Sequence, residues 1–175
     1  MHEVGDGQLR LEAWGNFYLA MSAAAATLVG LLFVVITLAA ERQPSSESER
    51  IRVYLTPTVL YFAKILLLAI ALTFPTHSRL SAALCCGSVG GIGVVYALTV
   101  LRHVGRFRER SDRWPYAVMP ATAFGALAAG GALTYTSAPG TGLTIVAATM
   151  LALLAIAIRN SWAIAVTIVS TRSGT

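Results

Sequence analysis

The sequence predicts an all-α protein: a polytopic transmembrane bundle of five spanning helices, forming one membrane domain over residues 1–175. Three observations point there. Of the 175 residues, 56% are hydrophobic and only 12% charged, whereas about a quarter of a soluble domain is charged. The apolar residues fall in five long, continuous runs, not in the alternating ten-residue segments of a membrane barrel. The few charges gather between those runs. Such a composition argues against a secreted enzyme, a disordered tail or a nucleic-acid-binding domain, and the length suits one compact bundle.

Residues 1–16 are polar and mixed in charge, with an acidic start. A cleaved secretory signal needs a basic start and a short apolar core, so none is expected. Residues 17–40 contain no charge. At 1.5 Å per residue they reach about 36 Å, enough for a hydrocarbon core of about 30 Å. Glu41 to Arg52, with Pro44, Ser45, Ser46 and six charges, reads as a loop. The second span covers about 53–74, interrupted by Lys64 and closed by Pro75. The third covers 81–101. Arg102 to Arg113 reads as a basic loop, and Pro115 suits the first turn of a fourth helix, about 115–136, where its missing N–H costs little. Ser137 to Gly142 reads as a Pro-Gly turn, and the fifth span covers 143–169.

Five spans put the termini on opposite sides. One side holds Arg42, Arg50, Arg52, Arg102, Arg106, Arg108, Arg110, Arg113 and Arg172, nine basic residues; the other holds Arg10 and Arg79. Arginine-rich short loops stay cytoplasmic. The expected arrangement is therefore a multi-pass protein of the inner (plasma) membrane, N-terminus outside and C-terminus inside. The 102–113 cluster is expected to set this topology and to meet anionic lipid head groups.

In lipid, helices associate through close contact of small residues. Ser22, Ala26 and Gly30 form such a strip on the first span. Ala83, Gly87 and Gly91, with Gly90 and Gly93 beside them, form one on the third, and Ala121, Gly125 and Ala129 one on the fourth. These strips suit packing within the chain or between subunits. The run Gly87–Gly93 lacks the strand and βαβ context of a dinucleotide loop. Cys85 and Cys86 are adjacent, too close for an ordinary disulfide ring, and no metal-ligand spacing is present, so both read as small packing residues. No cofactor is expected.

Lys64 is the only lysine and sits twelfth in its span. A lysine at mid-depth costs about 2.5–3.5 kcal/mol on insertion scales, and such groups usually face a bundle interior. Helical steps from it give Tyr61, Thr58 or Pro57, and Tyr54, a stripe of hydroxyls toward the cytoplasmic end. No Asp or Glu lies in any span. The amine therefore gives up its proton on leaving water, attracts a mobile anion, or serves a purely structural role. Arg159 and Asn160 form the second polar feature. Arg159 either snorkels to the cytoplasmic face, with Trp162 at the interface, or faces the bundle near the inner end of the Lys64 stripe.

Two cations, neighbouring hydroxyls and a basic inner mouth suit an anion pathway once subunits repeat them. Proton relays usually use intramembrane carboxylates or histidines; His77 and His103 fall at opposite faces. No Gly-x-Ser-x-Gly or His-Glu-x-x-His motif is present, so catalysis is not expected. Trp14-Gly-Asn-Phe-Tyr18, the run Leu28–Val35 and Asn160-Ser-Trp162 resemble small bacterial polytopic membrane proteins. That resemblance covers mainly the first and last spans, implies a multi-pass membrane protein and brings no activity with it. The expected function is a small oligomeric channel or transporter component favouring anions. Its rival is an accessory or scaffold subunit that docks partner helices. The expected partners are the bilayer, its anionic lipids and further copies or a partner subunit, and no nucleic acid. With Cys85 and Cys86 replaced by serine, a single cysteine placed within 102–113 should react with a membrane-impermeant maleimide only after the inner face is opened.

Overall fold

The computed structural model describes residues 14–40, 45–74, 78–104, 118–136 and 138–170. These form five α-helices: α1 (Gly15–Ala40), α2 (Ser45–Leu72), α3 (Arg79–Val104), α4 (Met119–Tyr135) and α5 (Pro139–Ser170). Three stretches are long and apolar enough to cross a membrane: Gly15–Thr37, Arg79–Thr99 and Pro139–Ala163. The apolar part of α2, Thr58–Leu72, and the 17-residue α4 are shorter.

The elements differ from the sequence expectation at their ends. Residues 45–52 of the expected 41–52 loop are helical, because α2 already begins at Ser45. Its charges were read as loop signals. However, Glu47 and Glu49 fall in the opening turns, where negative charge complements the helix dipole. Likewise the expected 137–142 turn shrinks, because Pro139 opens α5; proline is tolerated at a first helical position. Pro120, rather than Pro115, is the proline at the start of the described α4. Arg102 lies within α3; Arg106, Arg108, Arg110, Arg113 and Pro115 lie outside the described residues.

The outer surface is that of a protein in an apolar solvent. Leu31, Phe33, Leu67, Leu84, Ile92 and Val95 are more than half exposed. The exposed hydroxyls of Thr27, Thr37, Thr99 and Thr144 each donate to the carbonyl four residues earlier in their own helix. This is how a helix satisfies Ser and Thr where no water is at hand.

α3, α4 and α5 pack as successive antiparallel neighbours, α1 packs chiefly on α2, and α2 joins the two groups through α5 and, more narrowly, α3. Glycine sets the closeness of the larger group. A Cβ on Gly90 would stand 2.8 Å from the backbone of Ala128 and Phe124, and one on Gly131 would stand 2.5 Å from the Cys86 Cβ. Gly142 lies against the α4 backbone, where a Cβ would meet the Thr134 nitrogen at 2.5 Å and the Gly130 oxygen at 2.8 Å. The buried face of α3 is Ala82, Cys86, Gly90, Gly93 and Ala97, the 4-4-3-4 spacing of one helix face.

Of the small-residue strips expected from the sequence, Gly90 and Gly93 make these contacts, and the Ala83 oxygen and Gly87 nitrogen border them, 3.3 Å from where a Gly131 Cβ would stand; the other glycines of the strips leave their own faces open. A Cβ on Gly30, Gly87, Gly91 or Gly125 would meet nothing within 4 Å. Ala26 is exposed, and Ser22 is half-buried with its hydroxyl on the Leu19 carbonyl. Because α3 and α4 carry small residues on every side, a period-four count selected a face about 100° from the packed one.

Overpacking a close contact typically costs about 1–3 kcal/mol. Gly142→Ala should therefore lower the thermal midpoint in detergent, since both α4 and α5 backbones would have to part. Gly91→Ala and Gly30→Ala should change stability by less than about 0.5 kcal/mol.

Candidate functional site

The site is assembled on the inward face of α2. Thr58, Tyr61, Phe62, Ile65 and Leu68 are buried there, and Lys64 is half-buried beside them. The long Lys64 stem carries its nitrogen inward between two rings. Nζ lies 5.0 Å from the Tyr96 centroid on α3 and 4.9 Å from the Phe124 centroid on α4. Tyr61 closes the group: its ring stands edge-on to Tyr96 at 6.3 Å and tilted against Phe124 at 5.6 Å. Three aromatic side chains, one from each of three helices, thus gather at one amine.

The glycines of α3 explain why Phe124 reaches this position. A Cβ on Gly93 would fall on the Phe124 ring itself, and Gly90 admits the α4 backbone at Phe124. Gly90 and Gly93 thus give the ring a slot in which it is fully buried. A cation over an aromatic face gains about 0.5–2 kcal/mol, more when desolvated. Two faces therefore offset much of the cost of placing Lys64 at depth.

They do not give it a hydrogen-bond acceptor. Among the described residues, four enclosed side-chain atoms have no hydrogen-bond partner within the chain: Lys64 Nζ, Tyr61 Oη, Tyr18 Oη and Asn160 Oδ1. Tyr18, Tyr61 and Asn160 are each no more than 1% exposed. Serine and threonine hydroxyls elsewhere return to their own helix, as Thr134 does to Gly131 at 2.6 Å. A tyrosine hydroxyl stands too far from its own backbone for that, so a buried one needs a partner from outside its helix. Leaving such a group unmatched costs about 1–3 kcal/mol.

These groups occupy successive levels of the bundle. Tyr18 is one turn into α1. Lys64, Tyr61 and Thr58 lie about 12, 16 and 21 Å from the Leu72 end of α2, and Asn160 lies about 31 Å from the Pro139 end of α5. Lys64 and Tyr61 share the Tyr96 and Phe124 rings, whereas Tyr18 and Asn160 are buried on other helices.

Of the residues expected from the sequence, Lys64 and Tyr61 come together, and Thr58 shares their buried face. Tyr54 lies on α2 further along the same helix, but its side-chain surroundings fall outside the described residues. Asn160 is buried, whereas its neighbour Arg159 is exposed. The structure thus does not bring Arg159 to the lysine, because adjacent helix positions point about 100° apart. Tyr18, Tyr96 and Phe124 were not anticipated. Single aromatic residues in apolar spans give no sign of their direction. Only Gly90 and Gly93 on α3, three residues apart on one face, signal that something large enters there.

No family model, curated protein or solved structure matches the chain.

Chemically, the Lys64 and Tyr61 group offers donors, the N–H groups of the amine and the Tyr61 hydroxyl, with no carboxylate among the described residues to neutralise them. No Asp or Glu occurs between Arg52 and Glu109, nor after Asp112. If these groups are held for binding rather than stability, removing them should relieve strain. Lys64→Met and Tyr61→Phe should each raise the thermal midpoint of the purified protein in ligand-free detergent, by about 1–3 kcal/mol for the lysine. A drop for both would mark the site as structural.

Proposed function

We propose that the chain is a five-span, non-catalytic integral membrane protein that acts as a component of a small oligomeric anion channel or transporter. The observation that carries this reading is the Lys64 amine, enclosed between Tyr96 and Phe124 with no hydrogen-bond acceptor among the described residues. An intramembrane cation without a counter-charge marks a binding or passage point for anions. Tyr61 supplies a second donor, and Tyr18 and Asn160 add two further buried polar groups on α1 and α5. The 17 residues of α4 meet the lower limit of about 17–25 for a spanning helix, and α3 and α5 flank it along its length. On this reading the N-terminus is outside and the C-terminus in the cytoplasm of a cell with an inner membrane. The arginine-rich 102–113 segment then gathers anions at the inner mouth and meets anionic head groups. Five helices enclose little volume, which favours repetition of the site in an oligomer.

A second reading, a scaffold subunit that docks partner helices, is favoured by the open small-residue faces at Gly30, Gly91 and Gly125. The two readings divide at Lys64. In proteoliposomes holding the full chain, chloride flux should exceed that of empty vesicles, fall to the vesicle background in Lys64→Gln, and persist in Lys64→Arg. Background flux in the unmodified protein would favour the scaffold.

A further inference from the structure

We infer that the Lys64 site selects monovalent, weakly hydrated anions, such as nitrate or thiocyanate, over multivalent oxyanions such as sulfate. This inference rests on the anion-site reading above and names its substrate class. Three features carry it.

The first is charge. Among the basic residues whose side chains are described, Lys64 alone is aimed into the interior; Arg102 and Arg159 are exposed and Arg79 is half-buried near the start of α3. One ammonium neutralises one negative charge. A divalent guest would leave its second charge unmatched in a medium of low dielectric, where an unpaired ion is strongly disfavoured.

The second is the donor supply. Sulfate and phosphate hold many water molecules and need many N–H or O–H groups in their place. The walls around Lys64 Nζ are the faces of Tyr96 and Phe124, which donate nothing to a guest at the lysine. Tyr61, packed against both rings, brings one additional enclosed hydroxyl with no partner among the described residues. Anions that give up water readily are the ones this lining can receive. No guanidinium fork, the usual bidentate partner of oxyanions, is present in the group.

The third is release. Passage needs a site that holds its ion weakly enough to let it go. Tyr96 and Phe124 take up the ammonium by cation–π attraction when no anion is bound, so an arriving anion displaces two ring contacts and a departing one restores them. This exchange suits weak, rapid binding of a singly charged guest.

The test is an anion series in proteoliposomes with the full chain, comparing nitrate, thiocyanate, chloride and sulfate at equal ionic strength. Nitrate and thiocyanate should move faster than chloride, and sulfate at least tenfold slower than nitrate. Lys64→Gln should bring all of them to the empty-vesicle rate, whereas Lys64→Arg should carry sulfate better relative to nitrate, because its fork supplies more donors. Equal elution profile and helical circular dichroism would show that each variant folds. Sulfate moving within twofold of nitrate, with both lost in Lys64→Gln, would overturn the selectivity and leave the anion reading standing. Chloride faster than nitrate would overturn it in the same way. Nitrate flux undiminished in Lys64→Gln, or no anion flux above empty vesicles, would overturn both.

Discussion

The architecture depends on how closely α3, α4 and α5 approach one another. In lipid, an apolar side chain gains nothing by exchanging a hydrocarbon neighbour for another helix, so association rests on packing at short range. Here Gly90 admits the α4 backbone, Gly131 receives the Cys86 side chain and Gly142 lies on the α4 backbone. Each contact has the space of a hydrogen atom and no more. The same approach seats Phe124 against Gly93, and Phe124 supplies one of the two faces that hold the Lys64 ammonium. The glycines and the charged group are therefore parts of one arrangement, the first making the second possible.

Lys64 then sets the balance at the centre. Two ring faces and a long apolar stem ease its entry, but the amine keeps hydrogen-bonding capacity that the chain does not use. Tyr61, Tyr18 and Asn160 are in the same condition at other levels. A bundle selected for stability alone would place leucine or phenylalanine at these positions, since replacing buried unmatched polar groups with apolar ones of similar shape is often stabilising. Polar groups held at a cost to stability are typical of functional sites.

The sequence carried much of the architecture and part of the site. The apolar runs placed all five helices in register with the chain, with errors confined to their ends. Those errors came from Pro44–Arg52 and Ser137–Gly142, where residues common in loops also begin helices well. Lys64 and Tyr61 were legible because a lysine in a membrane run is costly, and because three residues on a helix share a face. Tyr96 and Phe124 were not legible, as an aromatic residue suits lipid and interior equally. Arg159 and Asn160 looked like one feature in the sequence and are separated by the turn of the helix.

What the sequence determined by itself was the solvent and the charge distribution. Long uncharged runs suit a bilayer, and the basic residues gather at the ends of those runs, nine at one set of ends against two at the other. What only the tertiary structure decided was which face of each helix turns inward. In water, hydrophobicity separates inside from outside; in lipid both are apolar, and the distinction passes to shape. Gly87 and Gly91 were as plausible as Gly90 and Gly93 until neighbouring backbones showed which pair was covered. The same step turned Lys64 from a costly residue in an apolar run into an enclosed cation with aromatic walls.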